Sequence, residues 1–394
     1  MYSLPLRDTR LRVSLLFLAC TLLVIGPLSA TAQTKAAPNI APIKAAPSPG
    51  VAAYAYVGTN VSGNGSGYVT QYIFGNSGVS LSTGSSASGA SGYLAVTSQY
   101  VFATDGTNIV TYTRAPSAGL TQTATVNGTS HNITPQGSAV GPLTVDLTGH
   151  TLYAAEINYD GADDDAYTIW TINADGSLTY VSAIGVDVDY HSYLAFAPNN
   201  LHAYGEGCYF ANWDLFGFTR NSDGTLTSLD PQAQIPPGNN NPMYCPGDLG
   251  VSAMNYVVVA YTDVSNPGSP YLLAVYTLNS DGTLGLVQNS EATTPFTAEH
   301  SLAFDPTGTY LAVAGDAGIQ MYALQSGGML APVGSVVDSN ATFNVVKWDD
   351  SGHLYAISGS GLYVFTSSTG ALTQAPGSPM PITDAASLAV LPAQ

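Results

Sequence analysis

Short apolar stretches recur along residues 51–394, and polar or glycine-rich turns separate them. The repeat is clearest at Ser301–Gly315, and related stretches occur on both sides of it. Seven copies share an apolar anchor residue: Val96, Val145, Phe196, Val251, Phe304, Trp348 and Val390. Successive anchors are 42 to 55 residues apart, which is close to the roughly 40 to 50 residues of one four-stranded structural repeat.

Each repeat continues with further short apolar runs. The second run is represented by Tyr256–Ala260, and the third, which alternates apolar and polar residues, by Tyr271–Leu278. Runs of this length and period predict β-strands. An Asp-Gly pair follows the third run at Asp175, Asp223 and Asp281, and Asp-Gly supplies the positive φ of a tight hairpin turn. The sequence therefore predicts an all-β chain in which every repeat is a four-stranded antiparallel meander.

The two ends of the repetitive region carry complementary parts of one repeat. Residues 53–57 have the pattern of a second strand, whereas residues 387–392 have the pattern of a first strand. Pairing of these strands would close the array into a ring without exposed sheet edges. We therefore predict a seven-bladed β-propeller over residues 51–394, closed by the C-terminal strand. Two packed β-sandwiches are the alternative, but they would not require complementary half-repeats.

The N-terminal 32 residues resemble a targeting segment. Three arginines precede an apolar run from Val13 to Leu28, and Ala30-Thr31-Ala32 follows it, as in a secretory signal peptide. The run is shorter than the roughly 20 residues of a spanning helix. We expect cleavage, a secreted or periplasmic protein and no membrane span, with an uncleaved anchor as the alternative. Residues 33–50 are rich in Ala and Pro and predict a linker.

Charged residues are scarce and mostly acidic. They make up 9% of the chain, whose net charge is −18. This balance argues against nucleic acid or an anionic membrane surface as a partner, because both need basic patches. Beyond residue 50 the arginines and lysines are Arg114, Arg220 and Lys347, too few for a phosphate clamp. Arg114 and Arg220 follow third strands, so we expect them to be surface charges.

Several motifs resemble those of the seven-bladed lactonase family, which includes propeller-type 6-phosphogluconolactonases and muconate-lactonising relatives. They are Tyr54-Ala-Tyr-Val-Gly-Thr-Asn, the Phe-x-Pro-x-Gly turn that begins at Phe304 and the Asp-Gly-Thr-Leu hairpins. The resemblance covers about residues 51–394. It implies a lactone hydrolase that requires no cofactor. Relatives often carry Asn-Glu where this chain has Gly205-Glu206, and Arg-His where it has Ser192-Tyr193, so we expect a neutral or weakly charged lactone.

The candidate catalytic residues lie on one face of the predicted ring, where interblade connections and second-to-third-strand loops meet. Lactone opening needs an activated water and donors for the developing oxyanion. His191, His300 and Glu206 are the candidates on that face. The competing hypothesis is a non-catalytic propeller that uses the same face to bind a carbohydrate, peptide or protein. We expect a monomer, with a small-molecule lactone or a carbohydrate as its ligand.

Carboxylates are also concentrated on this face, in the loops around blade 3. They are Glu156, Asp160, Asp163, Asp164, Asp165, Asp187 and Asp189. Because Ca²⁺ takes about 6 to 8 oxygen ligands, a Ca²⁺ site is one hypothesis. A solvated acidic loop is the alternative.

Two cysteines of the mature chain fall in neighbouring loops of the same face. Cys208 follows the second strand of blade 4, and Cys245 lies in the connection to blade 5. In an oxidising compartment this placement predicts a disulfide. Two free buried thiols are the alternative.

Overall fold

A computed structural model describes residues 50–60, 66–115, 119–131, 139–157, 165–186, 193–209, 212–229 and 244–393, all within the compact unit Lys44–Gln394. The predicted signal peptide (1–32) and nearly all of the predicted linker (33–50) lie outside the described residues. Within the described ranges the secondary structure is entirely β-strand, and no helix is long and apolar enough to cross a membrane.

The described strands are numbered in chain order. They are β1 (Val51–Asn60), β2 (Ser66–Gly75), β3 (Ser80–Ala90), β4 (Leu94–Val96), β5 (Tyr100–Thr104), β6 (Asn108–Ala115), β7 (Gly119–Asn127), β8 (Ala139–Val145), β9 (Thr151–Ile157), β10 (Asp165–Ile172), β11 (Leu178–Val186), β12 (Ala195–Phe196), β13 (His202–Tyr209), β14 (Asn212–Arg220), β15 (Leu226–Leu229), β16 (Tyr244–Ser252), β17 (Tyr256–Asp263), β18 (Leu272–Leu278), β19 (Leu284–Leu286), β20 (Ala292–Thr293), β21 (Glu299–Phe304), β22 (Tyr310–Gly315), β23 (Gly318–Leu324), β24 (Leu330–Val337), β25 (Val345–Trp348), β26 (His353–Ser358), β27 (Gly361–Ser368), β28 (Ala371–Gln374), β29 (Met380–Pro381) and β30 (Ala385–Pro392).

These strands form seven antiparallel sheets, the blades of a propeller. Blade 1 has the strand order β3-β2-β1-β30, and blades 2, 3 and 4 contain β4–β7, β8–β11 and β12–β15. Blades 5, 6 and 7 begin with β16, β21 and β25, and the short strands β20 and β29 extend blades 5 and 7. The predicted seven-bladed ring of four-stranded blades is confirmed, and each predicted anchor residue lies in the first strand of its blade.

The C-terminal strand closes the ring. β30 pairs antiparallel with β1, from Ala53 opposite Pro392 to Thr59 opposite Ala385. β1 therefore has a partner on both sides, since β2 pairs with its other edge. The predicted closure is confirmed.

A hydrophobic core lies between each pair of neighbouring blades, which gives seven cores among the described residues. Consecutive side chains of a strand point to opposite faces of its sheet. In β17, Val257 packs into the core shared with blade 4, and Val258 packs into the core shared with blade 6. This two-sided burial explains why the second strands are continuous apolar runs rather than alternating ones.

The predicted Asp-Gly turns also join one blade to the next. Gly224 has φ +88°, and a Cβ added there would lie 2.7 Å from the Thr151 hydroxyl oxygen of the preceding blade. The hydroxyl of Tyr153 donates to the Gly224 carbonyl at 2.6 Å. The hydroxyl of Tyr204 donates to the Gly282 carbonyl of the following blade in the same way, at 2.7 Å. Glycine is required at position 224 by conformation and by space.

The expectation that Arg114 and Arg220 are surface charges is wrong. The Arg114 guanidinium lies 4.3 Å from the Tyr54 ring centroid, and its Nε donates to the Tyr56 hydroxyl at 2.7 Å. Arg220 forms an ion pair with Asp146 at 2.6 Å. Both arginines therefore form contacts with side chains of the propeller. The position of Lys347 is described with the cavity below.

A buried polar network joins blade 7 to blade 1. Asp349 accepts hydrogen bonds from His353 Nδ1 at 2.7 Å and from the Tyr355 hydroxyl at 3.0 Å. The other ring nitrogen of His353 lies 3.2 Å from the carbonyl oxygen of Asn76. Because both partners are acceptors, the network favours the doubly protonated ring, and the hydrogen bond to Asp349 raises the pKa of His353.

Candidate functional site

A cavity of about 450 Å³ lies where the innermost strands of six blades begin. Its lining comes from β16, β21, β25 and β30 and from residues at the entry to β4 and β12. These first strands contact one another around the ring and so surround its axis. The interblade connections enter the first strands at this end. The cavity therefore opens on the face that the sequence analysis assigned to ligands.

Lys347 is the one lysine or arginine in the lining of this cavity, as far as the chain is described. Its Nζ lies 5.1 Å from the centroid of the Tyr193 ring, within cation–π range, and it forms no ion pair with any described residue. Burial lowers the pKa of Lys347, while the negative charge of Asp248 opposes this effect. The ammonium group thus faces the cavity with its hydrogen-bond donors available.

Asp248 supplies a carboxylate to the same cavity. The backbone N–H of Leu249 donates to its Oδ1 at 2.8 Å, and the N–H of Leu302 in β21 donates to its Oδ2 at 2.8 Å. These bonds fix the carboxylate between blades 5 and 6. Burial raises the pKa of Asp248 to about 6, although both hydrogen bonds and the charge of Lys347 act in the opposite direction. Desolvation is therefore the dominant effect on this group.

A further buried carboxyl group, that of Glu299, interacts electrostatically with Asp248. Glu299 is 8% exposed, and its Oε1 has no hydrogen-bond partner among the described residues. Burial, followed by the charges of Asp248 and Glu206, raises the pKa of Glu299 well above its usual range. Its neutral form is therefore favoured beside the cavity.

The cavity also has an aromatic wall. The rings of Tyr93 and Tyr193 meet edge to face, with centroids 6.1 Å apart and planes at 76°. Tyr93 is 41% exposed, so part of its ring remains accessible. Small residues, including Ala195 and Ala303, also line the cavity. This combination leaves room for a flat or cyclic molecule against the rings.

The three predicted catalytic residues have different placements. His300 is exposed and lines the cavity. Glu206 is 2% exposed in β13 and is not among the described residues that line the cavity. Its charge contributes to raising the pKa of Tyr167 and of Tyr261. His191 lies outside the described residues. The structure thus brings His300 together with Lys347 and Asp248, which the sequence analysis did not select.

A signal for Lys347 was present in the repeat. Lys347 directly precedes the anchor Trp348, at a position where the other six repeats have small residues: Ala95, Thr144, Ala195, Gly250, Ala303 and Ala389. A lysine at an inner-strand position where the other repeats have small residues indicates a functional position. The number of lysines and arginines in the chain, which the sequence analysis used, does not indicate that position. Asp248 is found in the same way, because it stands where two other repeats have Tyr93 and Tyr193.

The predicted calcium ligands are only partly described. Glu156 and Asp165 are buried, and Glu156 Oε1 accepts a hydrogen bond from the Thr168 hydroxyl at 2.8 Å. Within the described ranges, no group of three or more His, Cys, Asp or Glu side chains is arranged to hold a metal ion. Five members of the predicted set lie outside the described residues: Asp160, Asp163, Asp164, Asp187 and Asp189. The calcium site therefore stays a prediction.

The predicted disulfide is present. Cys208 in β13 is bonded to Cys245 in β16, with Cα atoms 5.5 Å apart. The bond joins the second strand of blade 4 to the first strand of blade 5 on the cavity side of the ring. It spans 37 residues of sequence.

No protein-family model and no curated protein matches the chain. Solved structures do resemble it. One is a candidate 6-phosphogluconolactonase from Bacteroides uniformis, with 16% sequence identity, a TM-score of 0.66, and coverage of 86% of this chain and 99% of that one. A protein from Lactobacillus plantarum has 14% identity, a TM-score of 0.64 and coverage of 86% and 99%. A functionally unknown protein from Desulfotomaculum acetoxidans has 13% identity, a TM-score of 0.62 and coverage of 86% and 98%. At these identities the likeness concerns the fold.

Proposed function

We propose that this protein is an exported lactone hydrolase that opens a neutral sugar or aliphatic lactone in the central cavity. The observation that carries the proposal is that a cation, Lys347, and a carboxylate of raised pKa, Asp248, both line the described part of this cavity. Hydrolysis of a lactone needs a base for water and a positive charge for the carbonyl oxygen. These two side chains supply both.

In the proposed reaction, Asp248 takes a proton from water as the water oxygen attacks the carbonyl carbon. The ammonium of Lys347 stabilises the negative charge that develops on the carbonyl oxygen. The ring C–O bond then breaks, and the departing alkoxide takes the proton back from Asp248. The product is a hydroxy acid, whose carboxyl proton is released to solvent. A base with a pKa of about 6 is suited to this role near neutral pH.

The charges around the cavity favour a neutral substrate over a phosphorylated one. A phosphate monoester carries nearly two negative charges at neutral pH. Lys347 is the one lysine or arginine in the described lining, and the negative charge of ionised Asp248 lies close to it. Tyr93 and Tyr193 provide ring surface for a cyclic substrate, and His300 is placed to bond a substrate hydroxyl at the cavity mouth.

Two further findings support the proposal. The fold likeness to the candidate 6-phosphogluconolactonase from Bacteroides uniformis supports the reaction class. The Cys208–Cys245 disulfide and the signal-peptide pattern support a secreted or periplasmic location, where disulfides persist.

The test is a titration of released acid with purified mature protein and a set of aliphatic, sugar and phosphorylated lactones. We expect turnover of neutral lactones, and a fall in rate below about pH 6 because protonated Asp248 cannot accept a proton. Asp248→Asn and Lys347→Met should each lower kcat/KM by about 100-fold or more. Glu291→Gln and His150→Ala, whose side chains do not line the cavity, are the matched controls.

Glu206→Gln and His300→Ala test the original candidates in the same assay. A loss of rate in these variants alone would move the chemistry away from Asp248. If the protein opens no lactone above the buffer rate across pH 4 to 8, the hydrolase proposal fails. The non-catalytic binding propeller would then be the better account.

A further inference from the structure

Among the described residues that line the cavity there is one lysine or arginine, Lys347, and one carboxylate, Asp248. When Asp248 takes up a proton, the charge of Lys347 is left without a nearby counterion. We propose that in this state the cavity binds the carboxylate of a small hydroxy acid on Lys347, and that ionised Asp248 excludes it. The inference rests on the proposed function, because a hydroxy acid is the product of lactone opening.

The geometry leaves the donors of Lys347 available to a ligand. Lys347 has three N–H donors and forms no ion pair within the described part of the chain. The Asp248 carboxylate is held by two backbone N–H groups, from Leu249 and Leu302, so it is fixed in place rather than paired directly with the ammonium. Lys347 and Asp248 therefore interact through space, and a ligand carboxylate can take the position of counterion.

The other titratable groups around the cavity do not oppose this change. Burial raises the pKa of Asp248 to about 6, and burial with neighbouring carboxylates raises the pKa of Glu299, which favours its neutral form. Burial also raises the pKa of Tyr93 and of Tyr193, so both stay neutral. His300 lines the cavity and carries no negative charge that would oppose the change. Acidification thus makes the cavity more positive.

The lining limits the ligand to a small monoanion with hydroxyl groups. A volume of about 450 Å³ is at the lower end of small-molecule sites. Ser301 and Asn344 offer hydrogen bonds to hydroxyl groups, and the small side chains of Ala195 and Ala303 leave room for the ligand's carbon chain. A second negative charge on the ligand would find no second lysine or arginine in the described lining.

The experiment measures binding of gluconate to the full mature protein by calorimetry at pH 5.0 and pH 7.5, where the gluconate carboxyl group is ionised. Protonated Asp248 falls from about 90% to about 3% between these values for a pKa near 6, so we expect about 30-fold weaker binding at pH 7.5. Glucitol, which has the same carbon chain without a carboxylate, should bind equally at both values.

Two variants give opposite results if the inference is right. Asp248→Asn should bind gluconate at pH 7.5 as tightly as the parent binds it at pH 5.0. Lys347→Met should lose binding at both values, and its circular dichroism spectrum reports whether it folds. His300→Ala should keep most of the ratio between the gluconate affinities at the two pH values. This result would assign the pH dependence to Asp248 rather than to His300.

Equal affinity of the parent protein for gluconate at the two pH values would overturn the inference. Weak gluconate binding by Asp248→Asn at pH 7.5 would also overturn it, as would glucitol binding as tightly as gluconate at pH 5.0. Neither result depends on whether Lys347→Met folds. Gluconate binding with the predicted pH dependence, but without turnover of any lactone, would support this inference and refute the hydrolase proposal alone.

Discussion

The Cys208–Cys245 disulfide allows a quantitative prediction of stability. The bond closes a loop of 37 residues between blades 4 and 5. For a loop of this length, the loss of chain entropy in the unfolded state corresponds to about 4 kcal/mol at 25 °C. The unfolding entropy is about 0.7 kcal/mol/K for the roughly 340 residues of the propeller. Dividing the free-energy change by this entropy gives a melting temperature lower by about 5 °C. We therefore expect a shift of this size in a Cys208→Ser/Cys245→Ser double variant.

The assay is thermal unfolding followed by circular dichroism, on the oxidised parent, the reduced parent and the double variant. The reduced parent and the double variant should melt at the same lowered temperature, because both lack the bond. The reductant must leave the melting temperature of the double variant unchanged, which serves as the control. If all three samples melt together, the bond does not constrain the unfolded chain, and the entropic argument is refuted.

Three further stability predictions follow from buried groups. Leu388→Ala in β30 should lower the free energy of unfolding, measured with denaturant, by about 2–5 kcal/mol. Leu147→Ala, at an exposed position, should change this free energy by less than about 0.5 kcal/mol. Equal effects of the two substitutions would contradict closure by β30. Because the pKa of His353 is raised, its bond to Asp349 should stabilise the fold below about pH 6.5, and this gain should disappear as the pH rises through the raised pKa. His353→Gln should abolish that pH dependence, and an unchanged profile would refute it. Glu299→Gln should raise the unfolding free energy above the raised pKa of Glu299, where the parent buries an ionised carboxylate, and the gain should shrink on acidification.

The fold could be predicted because the repeat carries both strand order and register. Val96 and Val390 are far apart in sequence, yet the same local pattern identified each as part of a first strand, in β4 and β30. The Asp-Gly pair at Asp175 and Asp223 placed hairpin turns by a conformational requirement that is local to the turn. Local rules repeated seven times determine the ring, since each blade only has to pack against its neighbours.

The site was less predictable because its residues are defined by the axis of the ring. Side chains were sorted by loop, which brought His300 to the correct face but overlooked charged residues inside inner strands. Lys347 was counted only as one of few cations, although its strand position faces the cavity. Arg114 was misplaced for a related reason, since its partner Tyr56 is 58 residues away and no local pattern indicates the contact.

The central position of β1 in its sheet has a mechanical consequence. The chain upstream of Val51 joins a strand that is hydrogen-bonded on one side to β2 and on the other to β30. A force applied through that segment along β1 would load two ladders in shear, instead of peeling one edge strand away. Force on the N-terminal segment would thus be transmitted to the strand that pairs with β30 to close the ring.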